Sequence, residues 1–179
     1  MDAIEKHLIQ VSQGIGLLDR GQIETVVNAL GIVRKLGGTV YLCGNGGSSA
    51  LASHFTNDLI KIGRVRAVCL SDNVPVMTAY GNDTGWNNMF SGPLERYEIT
   101  EKDALIGISC SGNSGNVLKA MEYARERAGF VIGLTGMGDG AIVKMADLLV
   151  TARVPDMRVQ EDLHTIACHA IARALQEAV

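Results

Sequence analysis

His54 and Asp58 stand one helical turn apart in a segment where Leu51, Phe55, Leu59 and Ile62 recur at helical spacing. They share a face beside that apolar stripe. An imidazole and a carboxylate so placed can move a proton or supply half of a divalent-cation site. The same spacing also suits a plain helix-stabilising pair. Near the C-terminus, Leu163, Ile166, Ala167, Ala170, Ile171 and Leu175 mark another helix, and the same region carries Gln160, Glu161, His164 and His169. His169 falls off the stripe, free to face a cleft or water. His164 lies closer to it, one turn before Cys168, and reads as packing. His7 has no evident partner and reads as a surface residue.

Two loops add binding chemistry. Gly44-Asn45-Gly46-Gly47-Ser48-Ser49 follows an apolar run and opens the helix bearing His54. Glycines let backbone approach a ligand closely, and a helix N-terminus offers unpaired N–H groups. A dinucleotide loop would read Gly-x-Gly-x-x-Gly, but Ser49 holds the third glycine position. Asp72 could serve as a ribose-binding acid, and a plain tight turn is the third reading. The second loop is Ser109-Cys110-Ser111-Gly112-Asn113-Ser114-Gly115-Asn116. Its three serines and two glycines offer hydroxyl and N–H donors to an anion without lysine or arginine, which suits a phosphate ester. Capping by Ser114 accounts for one serine and not three. Ser111-Gly112 lacks a Gly-x-Ser-x-Gly elbow, and Cys110 has no base partner evident in the sequence, so a nucleophile is not indicated.

The elements that must carry these loops alternate. Apolar runs at Thr39–Cys43, Ala67–Leu70, Ala104–Ile108, Phe130–Leu134 and Leu148–Val150 read as strands covered on both faces. Helical stripes separate them, including Val117, Ala120, Met121 and Ala124. Residues 2–36 read as one or two amphipathic helices, stopped by Gly37-Gly38. Strand alternating with helix implies a parallel sheet with right-handed crossovers, in which ligands bind beyond the carboxyl ends of the strands. The expected fold is α/β: a three-layer αβα sandwich with a mostly five-stranded parallel sheet and a helical N-terminal extension. No linker or repeat interrupts it, so residues 1–179 read as one domain.

Composition narrows the function classes. The 179 residues include 47% hydrophobic and 20% charged side chains, as a soluble globular chain requires. A formal charge of −3 without a basic run argues against nucleic acid as a partner. No apolar stretch approaches the roughly 20 residues of a membrane span, and the N-terminus lacks a signal-peptide layout. The four cysteines are far apart, with Cys43 and Cys69 inside apolar runs, as free thiols in a reducing compartment would be. A cytoplasmic location is expected.

Three motifs in order, Gly44–Ser48, Gly81-Asn82-Asp83 and Ser109–Asn116, together resemble the bacterial phosphoheptose isomerases of the sugar isomerase (SIS) superfamily. The resemblance covers nearly the whole chain. It implies an aldose–ketose isomerase that converts sedoheptulose 7-phosphate to glycero-manno-heptose 7-phosphate through an enediol. It implies that Ser109, Cys110, Ser111 and Ser114 hold the phosphate, Cys110 standing where the family usually has threonine. Asn45, Gly46, Ser48 and Asp83 would contact the sugar. It also implies a homotetramer with shared active sites, to whose packing residues 1–37 would contribute.

The family carries His-x-x-x-Glu where this chain has His54 and Asp58, with the carboxylate as catalytic base. Its Gln-Glu-x-His pattern, followed five residues later by a second histidine, aligns through His164 and His169. Glu161 then takes the glutamine position; matching Gln160 instead shifts the register by one. By this resemblance Asp58 and His169 are the catalytic base and acid, and His54, Asp58, Glu161 and His169 hold a divalent metal, zinc. Eight helical residues rise about 12 Å, so Glu161 and His169 cannot reach one ion from a straight helix. Either Glu161 precedes the helix or the two act through different subunits. The shortened Asp58 also leaves open an isomerase of another long-chain sugar phosphate. A different class is a non-catalytic SIS protein that binds a sugar phosphate or associates with a replication initiator.

Overall fold

The computed structural model describes residues Met1 to Ala178. Two helices come first: α1 (Ala3–Ile15), capped by Asp2, and α2 (Arg20–Leu36), capped by Asp19. The Asp2 and Asp19 carboxylates accept from free first-turn N–H groups, which locates both starts. Gly37 ends α2 in the left-handed conformation at φ 69°, where a glycine pays no Cβ penalty. Then follow β1 (Thr39–Gly44), α3 (Gly47–Lys61), β2 (Arg66–Cys69), α4 (Val74–Thr84), a 3-10 turn (Trp86–Asn88), α5 (Ser91–Tyr97) and β3 (Ala104–Ser109). The chain continues through α6 (Gly115–Arg125), β4 (Phe130–Thr135), α7 (Ile142–Met145), β5 (Leu148–Thr151) and α8 (Met157–Glu177). All five expected strands form, each within a residue or so of its expected bounds.

The sheet is wholly parallel, in the order β2-β1-β3-β4-β5. Successive strand residues point to opposite faces, and both faces are apolar. Val40, Leu42, Ile106, Ile108, Ile132 and Leu134 face α2, α3 and α8. Tyr41, Cys43, Leu105 and Val131 face the layer of α4 to α7. That double burial is why the strands read as unbroken apolar runs. Helices α4, α5 and α7 had no counterpart in the sequence reading. None of α4's residues is buried, so no apolar stripe marks it. Helices α5 and α7 are too short to show a period. Among the described residues, no helix is long and apolar enough to cross a membrane.

Connection order creates the site. From β1 the chain steps outward to β2, then crosses back to place β3 on β1's other side. Helices α3 and α6 therefore leave adjacent strand ends on opposite faces, opening a crevice between the two glycine-containing loops. Asn45 and Asn116 bridge it with reciprocal amide hydrogen bonds of 2.9 and 2.8 Å.

At the opposite end, buried Asp103 ties the strands together. Its Oδ1 accepts from the Thr39 N–H at 2.7 Å, and its Oδ2 from the Thr100 N–H and hydroxyl at 2.7 and 2.9 Å. Asp103→Ala is expected to lower the unfolding free energy by about 3 kcal/mol, because it strands three donors in a poorly hydrated site. Urea denaturation checks this, and a midpoint equal to wild type would show that water satisfies them.

Candidate active site

Helix α3 begins where Gly46 takes φ 54° and Gly47 leaves room for another helix. A Cβ at Gly47 would stand 2.5 Å from Glu161 Oε1, so this glycine lets α8 bring a carboxylate against the loop. About two and three turns further along α3 come His54 and Asp58. Helix α8 packs on α3 and delivers His169 beside them.

The three side chains converge. His54 Nε2 and His169 Nε2 lie 2.9 Å apart, and Asp58 Oδ2 is 3.5 Å from the first and 3.7 Å from the second. The imidazole rings meet edge to face at 5.1 Å between centroids. Asp58 is 6% exposed, whereas both histidine side chains are about half exposed. A buried carboxylate is costly unless polar groups face it. Here two imidazoles and the Asn57 amide, 3.2 Å from Oδ1, do so. At 2.9 Å, only one of the two Nε2 atoms can carry a proton. Donor atoms of all three residues fall within 4.8 Å of one another, a set that suits a divalent transition metal with open positions.

Glu161 is not among these three. It lies in the second turn of α8, so it does not precede the helix, and its carboxylate rests against Gly47. It lines a cleft of about 320 Å³ between α3 and α8, together with Ser48, His54 and His164. Neighbouring Gln160 is buried and committed elsewhere, donating to the Val154 carbonyl at 2.6 Å. A larger hollow of about 540 Å³, among α4, α5 and α6, is lined by neither loop and by none of the three converging groups.

The serine loop is folded on itself. Ser109 Oγ lies 3.0 Å from Ser114 Oγ and 3.4 Å from Ser111 Oγ, so three hydroxyls cluster ahead of α6. Cys110 turns aside: its thiol is 3.9 Å from His164 Nδ1 and is pushed up to about 11, chiefly by burial and then by Glu161. It stays a thiol at neutral pH. His164 is fully buried, as its packing role requires, and bonds the Thr135 carbonyl through Nε2 at 2.9 Å. That bond puts the proton on Nε2 and leaves Nδ1 as an acceptor facing Cys110.

Asn45 spends one donor and one acceptor site of its amide on Asn116, and Ser48 is buried at the cleft. Asp83 stands exposed on the last turn of α4, accepting from Asn82 Nδ2 at 2.8 Å, and joins neither loop within this chain. His7, expected to lack a partner, pairs with Asp162 at 2.9 Å. Only the docking of α1 on α8 brings that pair together across 155 positions, so no local pattern could have announced it.

A doubly wound parallel domain, with two anion-suited loops at its switch point and a histidine–aspartate–histidine cluster beside them, defines an α/β ligand-binding class. Residues 10–136 match the SIS domain family. The phosphoheptose isomerase of Campylobacter concisus is 36% identical over 183 residues, spanning 98% of this chain and 94% of its own. That of Rhodospirillum rubrum is 37% identical over 164 residues, spanning 86% of each chain. The solved phosphoheptose isomerase GmhA from Neisseria gonorrhoeae superimposes with a TM-score of 0.86 at 32% identity, over 93% of this chain and 92% of that one. The chain belongs to the phosphoheptose isomerase family of SIS-domain proteins.

Burial pushes His164 down from 6.5 to about 4, partly offset by its bond to Thr135. The unfolded chain therefore takes up this proton near pH 6.5 and the folded chain only near 4. The stability held above pH 6.5 is lost as pH falls toward 4, by roughly 2 kcal/mol between pH 7 and 5. Urea denaturation at the two pH values checks this. His164→Asn should lose correspondingly less, and an equal loss in the variant would assign it to other groups.

Proposed function

We propose that the chain isomerises a seven-carbon sugar phosphate, interconverting sedoheptulose 7-phosphate and glycero-manno-heptose 7-phosphate through an enediol. The observation that carries the mechanism is a buried carboxylate facing two imidazoles at the rim of a cleft, in a chain whose relatives bear the name phosphoheptose isomerase.

The serine loop takes the phosphate. Glu161 already sets a negative charge against the N-terminus of α3, which disfavours a phosphate at the glycine loop. Ser109, Ser111 and Ser114 gather hydroxyls with no carboxylate among them. Asn45, Gly46, Ser48 and Asp83 bind the sugar, Asp83 through a neighbouring subunit. Asp58 removes the proton from the carbon next to the carbonyl and returns it to the adjacent carbon. His169 moves the proton at the oxygen. Such positioned acid–base groups typically contribute 10²–10⁴-fold each.

His54, Asp58 and His169 would hold a zinc ion, and Glu161 would join the set only by swinging away from Gly47, within its own cleft or toward another subunit. When bound, the ion supplies a Lewis acid that polarises the carbonyl oxygen. The assembly is a cytoplasmic homotetramer of single-domain chains. Exposed Ile4, Leu8 and Ile9 on α1 and Ile32 and Leu36 on α2 support packing through residues 1–37.

Proton NMR of sedoheptulose 7-phosphate with the protein in heavy water tests the reading. New aldose signals with deuterium at the exchanging carbon are expected, and Asp58→Asn should slow both by at least 100-fold. Turnover without deuterium entry would exclude a solvent-exchanging base. No turnover would point to another sugar phosphate or to a binding role.

A further inference from the structure

The turn Trp86–Asn88 packs on the start of α6, where Asn116 Nδ2 donates to Met89 Sδ at 3.1 Å. The exposed side chain of Asn87 reaches over Gly115, the first residue of α6. A Cβ at Gly115 would stand 2.7 Å from Asn87 Oδ1 and 3.5 Å from its Nδ2. The Asn87 carboxamide thus occupies the space beside Gly115 that a side chain there would take. Among the described residues, that carboxamide forms no hydrogen bond within the chain. Its edge is therefore available to a ligand.

The surrounding groups define which ligand. Ser114 stands at the N-cap of α6 yet makes no capping bond, because its hydroxyl meets Ser109 instead. Val117 N–H is taken by the Asn116 side chain. The neutral Asn87 amide borders this open end of the helix, next to the hydroxyl cluster.

We propose that Asn87 is a specificity-determining residue, whose Nδ2–H donates to the phosphate held by the Ser109–Ser114 loop. The inference rests on the reading of that loop as the phosphate site and adds a donor from a separate segment. A neutral donor at this lip favours a phosphate over a neutral sugar terminus. It acts on substrate affinity and takes no part in the proton transfers at Asp58.

Calorimetric titration of the full-length protein with inorganic phosphate tests this, alongside kcat and KM for the sugar phosphate. Asn87→Ala should weaken phosphate binding about ten-fold and raise KM in parallel, with kcat within about two-fold of wild type. Asn87→Asp keeps the shape but repels the anion, so it should weaken binding further. It decides the matter if the alanine variant misfolds. Ser111→Ala separates the two layers of the reading. If Ser111→Ala weakens phosphate binding and the Asn87 variants do not, the loop stands and the Asn87 inference is overturned. If none of the variants alters phosphate affinity, the loop reading fails and Asn87 falls with it. A drop in kcat at unchanged KM would likewise overturn a binding role.

Discussion

Everything at the candidate site depends on β1 having its two sequence neighbours, β2 and β3, on opposite sides. A right-handed crossover from β1 to β2 lays α3 over one face of the sheet. Reversal toward β3 then sends α6 over the other. The two loops cannot close over the strand ends because their helices diverge. The Asn45–Asn116 amide pair is the polar clasp across the remaining gap. Asn116 is fully buried, so its amide needs partners wherever the chain folds. Satisfying it through Asn45 also holds the two loops at a set distance.

The second constraint is electrostatic. Asp58 is buried on the side of α3 that faces α8, and an isolated carboxylate there would oppose folding. Two half-exposed imidazoles share the neighbourhood, their Nε2 atoms 3.5 and 3.7 Å from Oδ2. With the Asn57 amide on Oδ1 the carboxylate is partnered on both oxygens, and the three donor groups together suit a divalent cation. Nearby Cys168, by contrast, is pushed up by burial and by Asp58 itself, which keeps that thiol neutral and inert.

Glu161 adds a third electrostatic element. A carboxylate against Gly47 places negative charge at the glycine loop and raises the Cys110 thiol further. In the proposed mechanism this charge separates the roles of the two loops, hydroxyls at one and phosphate at the other. A glutamine at this position would bring the hydrogen-bonding edge without the charge.

Much was legible in the sequence because it is local. The strands announced themselves as apolar runs, since both sheet faces are covered. The α3 stripe placed His54 and Asp58 on one face, and the serine loop declared its hydroxyls in eight residues. Helix α4 stayed silent, because none of its residues is buried and an amphipathic signal is a record of burial. Only the tertiary structure could decide which carboxylate accompanies His169. Residues 161 and 169 share a helix but lie two turns apart along it, and the packing of α8 on α3 set Asp58 beside the histidine and Glu161 beside Gly47. The pairings of His7 with Asp162 and of Asn87 with Gly115 were decided in the same way. Sequence determines periodicity and residue type over a few turns, whereas contacts between distant segments depend on how the sheet angles its helices.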